Sequence, residues 1–175
     1  MLCVVVIDGM ACLDNILYVV VHESSKIRLY NADTLSLLDV VIDVKGMIDP
    51  RDIVACRHDR QLYVAEDFCI WRVSADDHSY VKWRTTGSFR YKMALHMSLR
   101  SRRILLTTSR LPRDVHEYST TNKELHAIEL PQYVKTCHAA DLTGHGTYIV
   151  SHTGTLQDER HYAVSELFRC CHVSE

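Results

Sequence analysis

Short apolar runs, four to six residues long and broken by charged or turn-forming residues, follow one another along almost the whole chain. The clearest stretch is DPRDIVACRHDRQLYVAEDFCIWRV, Asp49 to Val73. It divides into Asp52–Cys56, Gln61–Ala65 and Cys69–Val73, separated by His58-Asp59-Arg60 and Glu66-Asp67. Strands this short, joined by tight polar breaks, predict an antiparallel meander. The middle strand recurs as Leu17-Tyr18-Val19, Leu62-Tyr63-Val64, Ile104-Leu105-Leu106 and Thr147-Tyr148-Ile149, in steps of 45, 42 and 43 residues. Such a period is that of one four-stranded propeller blade.

Used as a ruler, the repeat divides each blade into strands A to D. The first blade takes Val4–Ile7, Ile16–Val21, Lys26–Tyr30 and Leu37–Ile42, and the second adds Ser79–Trp83 as its outer strand. The third takes Met93–Met97, Arg103–Thr108, Val115–Tyr118 and Leu125–Leu130. The fourth has Cys137–Leu142, Thr147–Ser151 and Tyr162–Leu167 but no outer strand. Pro112 and Pro131 fall between strands, where a missing N–H costs nothing. A β-sandwich also has many short strands, but it does not require one motif four times at near-constant spacing. Inner strands such as Ile53-Val54-Ala55 are apolar on both faces, whereas Tyr80-Val81-Lys82-Trp83 alternates as an outer strand does. The expected fold is all-β: a partial β-propeller of about four blades, near residues 3–43, 49–86, 90–131 and 134–168, with the last incomplete and a tail at 169–175.

Composition narrows the class. A chain of 175 residues with 47% hydrophobic and 24% charged residues is an ordinary globular one. A net charge of −2 gives no overall pull toward nucleic acid or membrane. No apolar run approaches the roughly 20 residues that span a bilayer. Leu2–Ile7 is closed by Asp8 and lacks a basic flank, so it reads as a strand and not a signal peptide. Seven cysteines, with no Cys-x-x-Cys pair, fit a reducing, intracellular and cytoplasmic setting.

Within Asp49–Val73, Pro50, Ile53, Ala55, Leu62-Tyr63-Val64-Ala65, Asp67, Ile70 and Arg72-Val73 fall on the usual positions of a known repeat. The stretch resembles the NHL-type six-bladed β-propeller repeat, and the whole chain looks most like animal NHL-like proteins. His138-Ala139 and Tyr148-Ile149-Val150-Ser151-His152 look like another copy, and the resemblance runs from Val4 to about Leu167. One departure is that Asp59-Arg60-Gln61 stands where the repeat has a glycine in its A–B turn. The resemblance implies a ring-forming repeat, of which four blades are a part. An open arc would expose Val19, Val21, Ile149 and Leu167 and the strand edge at Tyr162–Leu167, so self-association or further blades are expected.

Two chemical features compete with a plain scaffold. From His78 to Arg113 there are nine basic residues and no acidic one, interleaved with Trp83, Phe89 and Tyr91. That composition suits single-stranded RNA, with Arg84, Arg90, Lys92 and Arg102 as contacts, and the resemblance includes RNA binders. The simpler reading is that Arg100–Arg103 in an A–B turn and Arg84–Lys92 in an inter-blade connection emerge on opposite faces. Counting five residues on from each middle-strand anchor reaches His22, Asp67, Ser109 and His152, which with His138 would ring one face and suit a metal-dependent lyase or hydrolase. Turn histidines are more often solvent-facing, and no metal ligand is assigned. No Gly-x-Ser-x-Gly elbow or phosphate loop is present, and no catalytic residue or cofactor is expected. The expected function is non-enzymatic: a scaffold presenting B–C and inter-blade loops to a protein partner, with Arg51, Asp67, His138 and His152 as contacts.

Overall fold

The computed structural model describes residues 6–85, 93–98, 102–108, 114–130, 134–141, 147–154 and 162–169, with side chains at 6–85, 95–96, 102–107 and 114–130. The chain forms two compact units, Met1–Lys92 and Met93–Glu175.

In the first unit, β1 (Ile7–Leu13), β2 (Ile16–Val21), β3 (Lys26–Asn31) and β4 (Leu37–Asp43) form one antiparallel sheet in chain order. A second sheet follows with β5 (Pro50–Cys56), β6 (Gln61–Glu66), β7 (Cys69–Ser74) and β8 (Tyr80–Thr85). The inner strand β5 lies against β1 and β2 of the preceding sheet. The second unit repeats the plan: β9 (Met93–Ser98), β10 (Arg103–Thr108), β11 (Asp114–Ser119) and β12 (Glu124–Glu129) form a sheet, and β13 (Val134–Asp141), β14 (Thr147–Gly154) and β15 (Tyr162–Arg169) form the next. There β13 lies against β9 and β10. The expected meanders are present, and the fourth sheet has three strands among the described residues.

One inner strand departs from the ruler. The apolar run suggested Val4–Ile7, whereas β1 runs Ile7–Leu13 and residues 1–5 lie outside the described residues. Asp14 and Asn15 explain it: both take positive φ, 47° and 61°, and set Leu13 opposite Ile16 as a two-residue hairpin turn does. The strand must then run back from Leu13 through Gly9-Met10-Ala11-Cys12, which has too little apolar bulk to announce itself. Gly9 is required for close approach, since a Cβ there would stand 2.9 Å from both Asp52 Cα and Ile53 N of β5.

The turn just described recurs. Asn15, Arg60 and Arg102 each immediately precede the second strand of a blade, with φ of 61°, 51° and 53°. These A–B turn positions are thus left-handed with side chains larger than glycine. In both sheets of the first unit the carbonyl at this position accepts a hydrogen bond from the C–D turn, Ala32 N–H to Asn15 and Ala75 N–H to Arg60, each at 2.9 Å.

Alternation then builds the core. Tyr18 and Val20 of β2, Ile27 and Leu29 of β3, Leu62 and Val64 of β6, and Trp71 and Val73 of β7 join Leu13, Ile42, Ile53 and Met47 in one buried cluster. The opposite face of β6 is buried as well, with Tyr63 against Trp83 in an edge-on contact of 5.1 Å between ring centroids. The middle strand β6 is therefore dry on both faces. Val19 is a correction: it is buried, not exposed, and Val21 is half-buried, because β2 is an interior strand packed on both sides. The exposed apolar residues of the first blade are instead Val6, Ile7 and Met10 at its inner strand, Leu35 in its C–D turn, and Leu37, Val40 and Val41 of β4. Ile149 and Leu167 lie in strands whose side chains are outside the described residues. Among the described residues no helix is long and apolar enough to cross a membrane.

Candidate functional site

At the B–C end of the first unit lie the turns that follow β2 and β6, and the connection from β4 arrives at Asp49 to begin β5. These elements bring Asp8, His22, Asp49, Arg51 and Asp67 together. His22 Nδ1 lies 3.1 Å from Asp8 Oδ2 and 3.3 Å from Asp49 Oδ1. Arg51 is clamped between two carboxylates, with Nη2 at 2.5 Å from Asp49 Oδ2 and Nε donating to Asp67 Oδ1 at 3.0 Å. Its charged form is favoured first by the Asp67 hydrogen bond and further by the charges of Asp67, Asp49 and Asp8. The Glu23 N–H donates to Asp49 Oδ1 at 3.2 Å, and the His22 N–H to the Val6 carbonyl at 3.0 Å, so the backbones on both sides of His22 are fixed.

Beneath this network sits Glu66, 8% exposed. Its Oε1 accepts from the Ile48 N–H at 2.6 Å and the Asp49 N–H at 3.3 Å, and its Oε2 accepts from Trp71 Nε1 at 2.8 Å and Cys69 Sγ at 3.3 Å. Burial raises the carboxyl pKa, but these four donors outweigh it and hold the group below the ordinary glutamate range. One buried carboxylate thus pins the loop that carries Ile48 and Asp49. That loop and the next turn hold Ile48 and Phe68 out in solvent, at 72% and 46% exposure. Large apolar side chains held outward beside a fixed polar network have the composition of a contact patch.

Arg51 and Asp67, both expected as contacts from sequence, meet directly. His22 and Asp67 occupy equivalent B–C turns, as the spacing suggested. His152 is a correction: it lies within β14, opposite Cys137 and Val164, because that hairpin extends to Gly154 before its loop. His138 lies in β13 opposite Ser151, and the side chains of both histidines are outside the described residues, as is Ser109. Arg84 is also corrected, from the inter-blade connection to β8, where it pairs with Ile70 in register. Arg102 is exposed in its A–B turn, while Arg90 and Lys92 lie outside the described residues. Two cations of the basic segment are used within the fold: Lys82 Nζ stands 5.1 Å over the Trp71 ring, and Arg103 Nη1 donates to the buried Glu117 at 2.9 Å.

Sequence reasoning missed Asp8, Asp49, Glu66 and Ile48. Asp8 was read as the end of a strand and not as part of one. Glu66 was read as a turn residue, although its place just before Asp67 in the strongest repeat marks the end of a middle strand.

No protein-family model matches the sequence, and no curated protein matches it. Among solved structures, a chain of the crystal structure of a nidogen/laminin complex is similar, with a TM-score of 0.72 at 12% identity. The match covers 93% of this chain and 60% of that one, so the chain spans less than two thirds of its structural neighbour's length. In all, 335 solved chains match, which is the behaviour of a widely reused architecture and leaves function to the site. The chain is all-β, built of antiparallel meander blades, and its fold is that of a partial β-propeller.

Proposed function

We propose that the chain is a non-enzymatic interaction module that binds a protein partner at the B–C end of its first unit. The observation that carries this reading is the exposed pair Ile48 and Phe68, set beside the partly exposed network of Asp8, His22, Asp49, Arg51 and Asp67. Four carboxylates there, with Glu23 included and Glu66 left out as buried, face one arginine, Arg51. Counted together, Asp8, Glu23, Asp49 and Asp67 outnumber Arg51, so the patch suits a segment pairing a basic residue with an apolar one. The positions from Pro50 to Val73 that match the NHL-type repeat support placing the module among such propellers, which present loops from a rigid scaffold. Two of the cysteines at this end and its sheet are poor candidates for a nucleophile. Burial pushes Cys69 up to about 12, with Glu66 adding to the shift, and burial also raises Cys56, so neither is a ready nucleophile.

The test is affinity capture from cell extract with the full chain, comparing wild type with Ile48→Asp and Phe68→Asp, and with Val81→Asp on the outer strand as control. The reading expects a set of proteins that both loop variants lose and the control retains. An identical set from all four proteins would overturn it.

A further inference from the structure

We propose that Asp8, His22 and Asp49 form a binding site for one divalent transition-metal ion of the zinc class. This deepens the reading of the B–C end as the functional face, but its test uses no partner and stands or falls separately.

The donor atoms come from three segments: Asp8 Oδ2 from β1, His22 Nδ1 from the end of β2, and Asp49 Oδ1 from the entry to β5. All three lie within 4.8 Å of one another. The nitrogen is 3.1 Å from one carboxylate oxygen and 3.3 Å from the other. Tetrahedral zinc with bonds of about 2.0–2.1 Å keeps its ligand atoms roughly 3.3–3.4 Å apart, so these two spacings need to change by a few tenths of an ångström at most. A hydrogen-bonded His–Asp pair would explain one of these contacts. It accounts less well for two, because one Nδ1 proton cannot point squarely at both oxygens, and Asp49 Oδ1 is already supplied by the Glu23 N–H at 3.2 Å. Bringing those carboxylates together is costly unless a cation stands between them.

The surroundings orient the donors as metal sites require. Arg51 Nη2 takes Asp49 Oδ2, and Asp67 in turn holds Arg51 through Nε, so Oδ1 is the oxygen left facing His22. Arg51 contributes one positive charge against Asp8, Glu23, Asp49 and Asp67, and the neighbourhood remains net negative. Asp8 and Asp49 are half-buried and His22 is exposed, which leaves a side open for water or for a group from outside. One imidazole with two carboxylates favours zinc-like ions over magnesium and calcium, which take all-oxygen sets, and over copper(I), which takes thiolates.

Chelator-treated full chain is titrated with Zn²⁺ by calorimetry, and the histidine ring resonances are followed by NMR in the same titration. We expect one equivalent to bind, the His22 resonances to shift, and affinity to fall at least tenfold in His22→Gln and in Asp8→Asn, with His58→Gln unchanged. Arg51→Gln should weaken binding by less, since it orients a ligand without being one. Unshifted His22 resonances in the wild type overturn the proposal without recourse to any variant. So does zinc binding that persists in both ligand variants, or Ca²⁺ binding of equal affinity.

Discussion

Arg51 and Arg60 each sit between two aspartates in the first unit, at opposite ends of the same sheet. Arg60, in the A–B turn, bonds Asp14 of the neighbouring blade and Asp76 of its own C–D turn, at 45% side-chain exposure. Arg51 bonds Asp49 and Asp67 at 21%. The pairing is the same in kind, but water competes freely at one end and is partly excluded at the other. Beneath Arg51 lies a buried carboxylate that fixes the loop, and around it stand His22 and two exposed apolar side chains. The Arg60 bridge ties two turns together; the Arg51 clamp aims a carboxylate. Solvent access and neighbours, more than the charges themselves, separate a strut from a site.

The largest test concerns the strand that joins the two ends. Val64 is fully buried in the middle of β6, so Val64→Asp should lower stability by about 4 kcal/mol or more through an unpaired buried charge and lost packing. An unchanged denaturant midpoint would mean that the two ends do not share a rigid sheet. Next comes the support under Arg51. Glu66→Ala leaves the Trp71 indole N–H and the Ile48 amide without their acceptor, and should cost about 2–3 kcal/mol.

The same carboxylate sets a pH dependence. Its folded pKa lies below the unfolded value, so its contribution is present in full above the ordinary glutamate pKa of about 4.3 and is lost as pH falls through the lower folded value. Denaturant midpoints measured below about pH 4.5 should fall less steeply in Glu66→Gln than in wild type. Equal slopes would remove Glu66 from the account. Arg51→Ala should then cost about 1 kcal/mol and abolish capture of the B–C-end partner. Smallest of all, Arg60→Ala should leave the midpoint unchanged within error. If the two arginine variants behave alike in stability and capture, the contrast between the ends fails.

Most of the strand pattern was legible because every blade solves the same burial problem. Leu62 and Val64 had to face one way and Tyr63 the other, and the same alternation returned at Leu17, Ile104 and Thr147. Arg51 and Asp67 were legible as loop residues of the strongest repeat. What stayed hidden depends on chain segments meeting. Asp8 lies in β1, His22 in the turn after β2 and Asp49 in the connection to the next sheet, and no period links them. β1 was misplaced because a turn, not apolar bulk, sets its register. His152 was misplaced because a fixed count from the anchor assumes hairpins of equal length, and β14 is longer than β2 or β6.

Gly9 carries a consequence for how precisely such a repeat can be stacked. At the inner edge, the spacing between two successive blades is set by the absence of one carbon atom. A methyl group there would meet the backbone of Asp52 and Ile53 at 2.9 Å, about half an ångström inside ordinary contact. Backbone cannot rotate away as a side chain can, so the relief would have to come from the wedge angle between the two sheets. Strands lie roughly 4.8 Å apart, which places β4 and β8 some three strand widths from that contact. A small error at the hub therefore becomes a larger displacement at the rim, where the outer strands stand. Gly9 works as the gauge of blade pitch.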